Sequence, residues 1–140
     1  MDIFSEQIAF STKGHSDIVD LTERVQKVIS NSKFHEGSVT VFAIGSTAGI
    51  TTVEYEPGLV ETDLPALFDK LAPYNRPYAH DNTWGDDNGA AHLRASLLGA
   101  SLTVPFVNGS LCLGTWQQII YIDFDTRPRS RKVIVQVIGK

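Results

Sequence analysis

The amino-acid sequence predicts an α+β fold, a mainly antiparallel sheet structure with three helices packed against it. Three observations lead there. β-Branched runs such as Ser38–Ile44 and Val133–Ile138 alternate with stretches whose apolar residues recur at the helical period. Asn108-Gly109 stands between two apolar runs, the strongest short-range signal for a hairpin and so for antiparallel pairing. The 140 residues contain no internal repeat and no low-complexity linker, so 1–140 reads as one domain, long enough to bury a core unaided.

Taken in order, residues 3–12 alternate around Ile8 and Phe10 and end in Thr12-Lys13-Gly14-His15, a first strand and a turn. Ser16 or Asp17 is expected to cap a helix in which Ile18, Leu21, Val25 and Ile29 form the packing stripe. Ser38–Ile44 should be a central strand with Val39, Val41 and Ala43 on one face. Gly45–Gly49 interrupts it before a strand over Ile50–Glu56, and Pro57-Gly58 stops that strand. Leu59–Leu71 is helical, with Leu64, Leu67, Phe68 and Leu71 apolar, and a third helix should begin near Asp87, with Leu93, Leu97 and Ala90 turned to a core. The hairpin strands are Ser101–Val107 and Leu111–Asp125. The second exceeds ordinary strand length, which suggests a bend at Gly114 or a path through two sheets or subunits. Its period of two groups Trp116 with Ile120, Ile122 and Phe124, making Trp116 core, and turns Gln117 the other way.

Composition removes whole classes of function. A formal charge of −4 argues against nucleic acid or anionic membrane as the main partner. The single cysteine, Cys112, rules out an internal disulfide framework and, lying in an apolar run, reads as a small core residue. No stretch approaches a membrane span, and Met1–Gln7 lacks a signal-peptide pattern, so a cytoplasmic protein that binds small molecules or other chains is expected.

The chemistry concentrates in His80–His92, where two imidazoles, three carboxylates and two carboxamides fall within thirteen residues. Asn88 and His92 sit four residues apart and share a helix face, and the loop is short enough to return His80 to them. Asp81, Asp86 and Asp87 offer oxygen ligands or proton acceptors nearby. The same residue types also build ordinary surface loops. Gly45–Gly49, with Ser46, Thr47 and Gly49, lets backbone N–H groups approach an anion, but no helix follows and a plain connecting loop looks the same. Glu54 reads as a carboxylate on an edge strand. Arg127, Arg129 and Arg131 cluster at a turn, either as a solvated tip or as a bidentate phosphate clamp.

Three segments together carry more than spacing: Gly-Ser-Thr-Ala-Gly-Ile-Thr-Thr-Val-Glu (45–54), His80 through Gly99, and Asn108 through Gln118 followed by Asp123–Lys132. They resemble the YjbQ family in the same order and over nearly the whole chain. Some members of that family carry the name secondary thiamine-phosphate synthase. The resemblance implies a compact, mainly antiparallel α+β domain, a homotrimer, and a pocket of Glu54, His80, Asp87, Asn88, His92, Trp116 and Gln117. One departure is Gly45, where many members have His. The implied reaction joins a pyrimidine diphosphate to a thiazole phosphate and releases pyrophosphate. A divalent ion, Mg or Zn, would sit on His80, His92 and Asp87, phosphates on Ser46, Thr47, Gly49, Arg127 and Arg129, and a ring on Trp116. A phosphate-ester hydrolase and a non-catalytic binding module are the alternatives. The long apolar Leu111–Asp125 strand also asks for a neighbouring subunit to cover it, and the Arg127–Arg131 turn is expected to reach a neighbour's His80–His92 loop.

Overall fold

The computed structural model describes every residue from Met1 to Lys140. Strands β1 (Asp2–Thr12) and β8 (Arg129–Gly139) pair along their whole length. β8 pairs on its other edge with β3 (Glu36–Ala43), β3 with β5 (Ser101–Val107), and β5 with the short β6 (Ser110–Leu111). A second sheet places β7 (Gln118–Asp123) between β2 (Asp17–Asp20) and β4 (Ala48–Val53). All these pairings are antiparallel. Asn108 and Gly109 both take positive φ, as the tight hairpin requires.

Period-two alternation builds the main core. Val39, Val41 and Ala43 of β3 and Val133, Val135 and Val137 of β8 face Leu21, Val25, Val28 and Ile29 at the start and along the buried side of helix α1 (Thr22–Ser32). Ile119 and Tyr121 of β7 join them. The opposite side of β7 presents Ile120 and Ile122, which with Phe124 meet Val60, Phe68, Ala91 and Ala95 in a second core. β7 is therefore a middle layer, apolar on both faces because both are covered.

This arrangement corrects several expectations. The long second hairpin strand does run through two sheets, as β6 and β7, but the chain itself buries its apolar faces, so it gives no reason for a neighbouring subunit. Between the two strands the chain turns, with Gln117 N–H donating to the Gly114 carbonyl at 3.0 Å. The alternation of β7 cannot extend back through that turn, and Trp116 is 70% exposed rather than core. Cys112, just past β6, is exposed as well. The first helix starts later than expected. Asp17–Asp20 pairs with β7 instead, and Asp20 accepts from the Thr22 amide and hydroxyl where α1 begins. β4 stops at Val53, leaving Glu54 exposed beyond its end.

The expected helix over Leu59–Leu71 is a π-helical segment, Gly58–Asp63, running into α2 (Leu64–Leu71), which buries Phe68 and exposes Leu67 and Leu71. A short helix not anticipated from sequence, α3 (Ala79–Trp84), carries His80. The third expected helix, α4 (Gly89–Leu98), buries Ala90, Ala91, Arg94 and Ala95 while Leu93 and Leu97 face outward. Small side chains let α4 lie close against β4, where larger leucines would not fit. Arg94 tolerates full burial because its guanidinium donates to the Ala72 carbonyl, Ser16 and Asp69 and lies 3.9 Å from the Tyr74 ring centroid. No helix is long and apolar enough to cross a membrane.

Candidate functional site

Two short helices and their junction set the histidines. Asp81 accepts from the Tyr78 amide that opens α3 and, through its other oxygen, from the Gly89 amide that opens α4 at 2.9 Å. One carboxylate thus caps both helices. Gly85 ends α3 in the left-handed region at φ 68°. Gly89 permits the close crossing, since a Cβ there would stand 2.5 Å from the Tyr78 Cβ.

The result brings His80 and His92 together, ring centroids 4.3 Å apart and planes tilted by 56°. Asn88 lies between His80 and Asp86. With donors matched to acceptors, its amide nitrogen donates to both Asp86 oxygens at 3.1 and 3.2 Å and to His80 Nε2 at 3.2 Å. With the amide turned over, Oδ1 would face both Asp86 oxygens as well as Nε2, so the donating orientation is the one the site supports. Asp86 itself is 3.6 Å from Nε2. A base, an amide donor to its Nε2, and a counter-charge are in place, each partly exposed.

Asp87 does not join them. Its carboxylate accepts from the Thr126 hydroxyl at 2.8 Å and lies 3.7 Å from Arg127. The expected ligand set of His80, His92 and Asp87 therefore does not converge, and no group of three His, Cys, Asp or Glu side chains in the chain could hold a metal ion. The residues this chain brings together do not fit a divalent ion.

Beyond Thr126 lies an ionic network whose key members, Asp123, Asp125 and Arg131, the sequence reading did not single out as a group. Arg131 donates from Nε and Nη2 to the two oxygens of Asp123, at 2.6 and 2.8 Å, and from Nη2 to Thr47 Oγ1 at 2.7 Å. Thr12 also donates to Asp123. Arg129 Nε donates to Asp125 at 3.1 Å. The bonds to Asp123 raise the Arg131 pKa further above its ordinary range, against the effect of burial. Burial acts to raise the Asp125 pKa, but the Thr126 amide, Arg129 and Thr47 outweigh it and hold the carboxyl below its ordinary value. A signal was present in the sequence: Asp123 and Asp125 stand two apart where one strand ends, and Arg129 and Arg131 two apart where the next begins, so that the two arginines share a strand face.

The other expected pocket residues are dispersed. Ser46 is exposed and Thr47 buried in the network. Gly49 serves packing, since a Cβ there would stand 2.7 Å from Leu98. Glu54, Trp116 and Gln117 lie at the far end of the β4–β7 pair from Thr47 and Asp123, about 17 Å away along strands that rise about 3.3 Å per residue. There Gln117 donates to Thr52 Oγ1 at 3.0 Å and accepts from the Gly114 amide. It also borders a cleft of about 340 Å³ with Thr52, Ser101, Thr103 and Cys112.

A family model described as UPF0047 protein YjbQ-like matches residues 6–140. The chain belongs to the YjbQ family. A UPF0047 protein of Archaeoglobus fulgidus is 38% identical over 132 residues, covering 94% of this chain and 99% of that one. Another, from Methanothermobacter thermautotrophicus, is 36% identical over 140 residues, covering 100% and 95%. Among solved structures, a YbjQ-like protein of unknown function from Sulfolobus solfataricus P2 superposes with a TM-score of 0.92 at 32% identity, covering 99% of both chains. The α+β architecture described above is thus the YjbQ fold, with four α-helices, three of them of eight to eleven residues.

Proposed function

We propose that this YjbQ protein is an enzyme acting on small phosphorylated molecules, with His80 and His92 as its proton-transfer groups. The observation that carries the reading is the Asn88 amide, within hydrogen-bond distance of both His80 Nε2 and Asp86 beside a second imidazole. An amide donating to Nε2 leaves His80 neutral with its proton on Nδ1. When Nε2 takes a proton it gives up the Asn88 donor, and Asp86, 3.6 Å away, balances the charge. An imidazole with a set tautomer and a counter-charge at hand suits general acid–base catalysis.

The first reaction to test is the one implied by the resemblance. In it the pyrimidine methylene carbon leaves its diphosphate oxygen and bonds to the thiazole nitrogen, and an imidazolium donates its proton to the departing pyrophosphate. In a hydrolase, one imidazole would instead take a proton from water as the water oxygen bonds to phosphorus, the ester P–O bond breaks, and the second, as imidazolium, gives its proton to the departing oxygen. No step here passes through a metal, because the ligands in one chain do not converge.

The reading includes a homotrimer with the site near a subunit boundary. Its support shifts from β7 to the uncovered face of the five-stranded sheet, where Ile3, Phe42, Val107 and Ile138 are all exposed on one side. The histidine pair also lies open on the chain's surface, and its expected companions Trp116 and Gln117 are distant within one chain. A neighbour could supply what a single subunit separates.

Phosphorus NMR of the protein with a pyrimidine diphosphate and a thiazole phosphate tests the function. Pyrophosphate with thiamine phosphate marks a synthase, orthophosphate marks a hydrolase, and unchanged substrates overturn both in favour of a binding module.

A further inference from the structure

Arg131 has five N–H donors, and the fold engages three of them: Nε on Asp123, and Nη2 on Asp123 and Thr47. The two protons of Nη1 meet no acceptor. That edge of the guanidinium points at Gly45, where a Cβ would stand 3.3 Å from Nη1, and Gly45 is exposed with φ 135°. The side chain of Arg131 is itself only 10% exposed, so it is held rigid with one face open.

The backbone of the same loop is unsatisfied. The Ile44 amide donates to Lys132 and Thr47 gives its carbonyl to Phe124, but the amides of Gly45, Ser46 and Thr47 find no acceptor in the chain. Gly45 and Ser46 are exposed, so their amides are open to a ligand, while Thr47 is buried, where an amide without a partner is rare and calls for an occupant. Successive free N–H groups beside a fixed guanidinium are what a tetrahedral oxyanion needs. The charge beneath is balanced, Asp123 and Asp125 against Arg129 and Arg131, so an arriving anion meets no net repulsion.

We propose that Arg131 Nη1 and the amides of Gly45–Thr47 form a phosphoryl-binding site, open in this chain because residue 45 has no side chain. The proposal rests on the reading above for the ligand's class and adds its subsite. It also moves the anchoring role from Arg127 and Arg129, which face Asp87 and Asp125, to Arg131. The path from the site to the histidine loop is short in contacts: Thr47 donates to Asp125, Asp125 accepts from the Thr126 amide, and Thr126 donates to Asp87.

The test is nitrogen–proton NMR of the labelled protein titrated separately with inorganic phosphate and phenyl phosphate. Saturable shifts centred on the amides of Gly45, Ser46 and Thr47 and on the Arg131 side chain are expected with both, and the tighter of the two identifies a free anion or an ester as the better ligand. Arg131→Gln risks unfolding by stranding Asp123, and any side chain at Gly45 is strained at φ 135°, so Ser46→Asp is the working variant. It should keep the remaining amide spectrum and weaken phosphate by about tenfold or more, the scale of one charge-assisted hydrogen bond. No saturable shift by on the order of 10 mM phosphate, shifts centred elsewhere, or undiminished binding in that variant would overturn the site. Phosphate binding here with full turnover in His80 variants would sink the catalytic reading alone; the reverse pattern would sink only this one.

Discussion

Gly89 touches Tyr78 so closely that a single methyl group would collide with it, a Cβ at position 89 falling 2.5 Å from the Tyr78 Cβ. That contact holds α3 against α4 and so holds His80 against His92. Gly89→Ala should therefore cost about 1–3 kcal/mol, the range for overpacking, and separate the rings. Urea denaturation reads the first, and loss of nuclear Overhauser contacts between the two imidazoles reads the second. An unchanged ring contact would show that the crossing does not set the pair.

Trp116 and Phe124 should respond oppositely to truncation. Phe124 is fully buried against Phe68, with ring centroids 4.7 Å apart, whereas Trp116 is mostly exposed. Phe124→Ala should lose about 3–5 kcal/mol and Trp116→Ala no more than about 0.5 kcal/mol. Equal losses in thermal melts would return Trp116 to the core.

Stability should fall at both pH extremes for identifiable reasons. Tyr121 is buried with no partner for its hydroxyl, and burial is the main cause that pushes its pKa up to about 12, Arg131 opposing and Asp123 assisting. A raised folded pKa means that its contribution is complete below the ordinary value of 10 and is lost as pH rises from there through about 12, roughly 2–3 kcal/mol in all. Asp125 works in the other direction. Its lowered pKa stabilises the fold above the ordinary value of 3.8 and that gain is lost as pH falls through the lowered one. Denaturation followed across pH, with Tyr121→Phe as comparison, checks the alkaline limb: the variant should lose the steep decline.

Assembly is expected to use the open face of the five-stranded sheet. Light scattering should give three chains per particle at micromolar concentration, and Phe42→Glu should give monomers with an unchanged monomer fold. A wild-type monomer would contradict the assembly.

Much of this is legible in the sequence. Val39, Val41 and Ala43 alternate as one buried face, Asn108-Gly109 makes its hairpin, and Asn88 and His92 meet His80, because each depends on local period or turn chemistry. β2 was hidden because Ile18 also falls in phase with the helix that follows, and only pairing with β7 decides its conformation. The buried face of α4 was misassigned for a related reason: hydrophobicity favours Leu93 and Leu97, but close approach to β4 selects Ala91 and Ala95 and lets a fully bonded Arg94 inside. Trp116 followed from extending the period of β7 through a turn that composition alone did not reveal. Asp87 was placed with the histidines by proximity in sequence, whereas Thr126 and Arg127 draw it away.

The central claim is that the His80–His92 pair carries proton transfer on a phosphorylated substrate, and turnover of His80→Gln and His92→Gln beside the unmodified protein tests it most directly. With melting temperatures unchanged, each variant should lose about 10²–10⁴ in rate by phosphorus NMR with the pyrimidine diphosphate and thiazole phosphate, or with a phosphate ester. Turnover at the full rate in both variants would contradict the account.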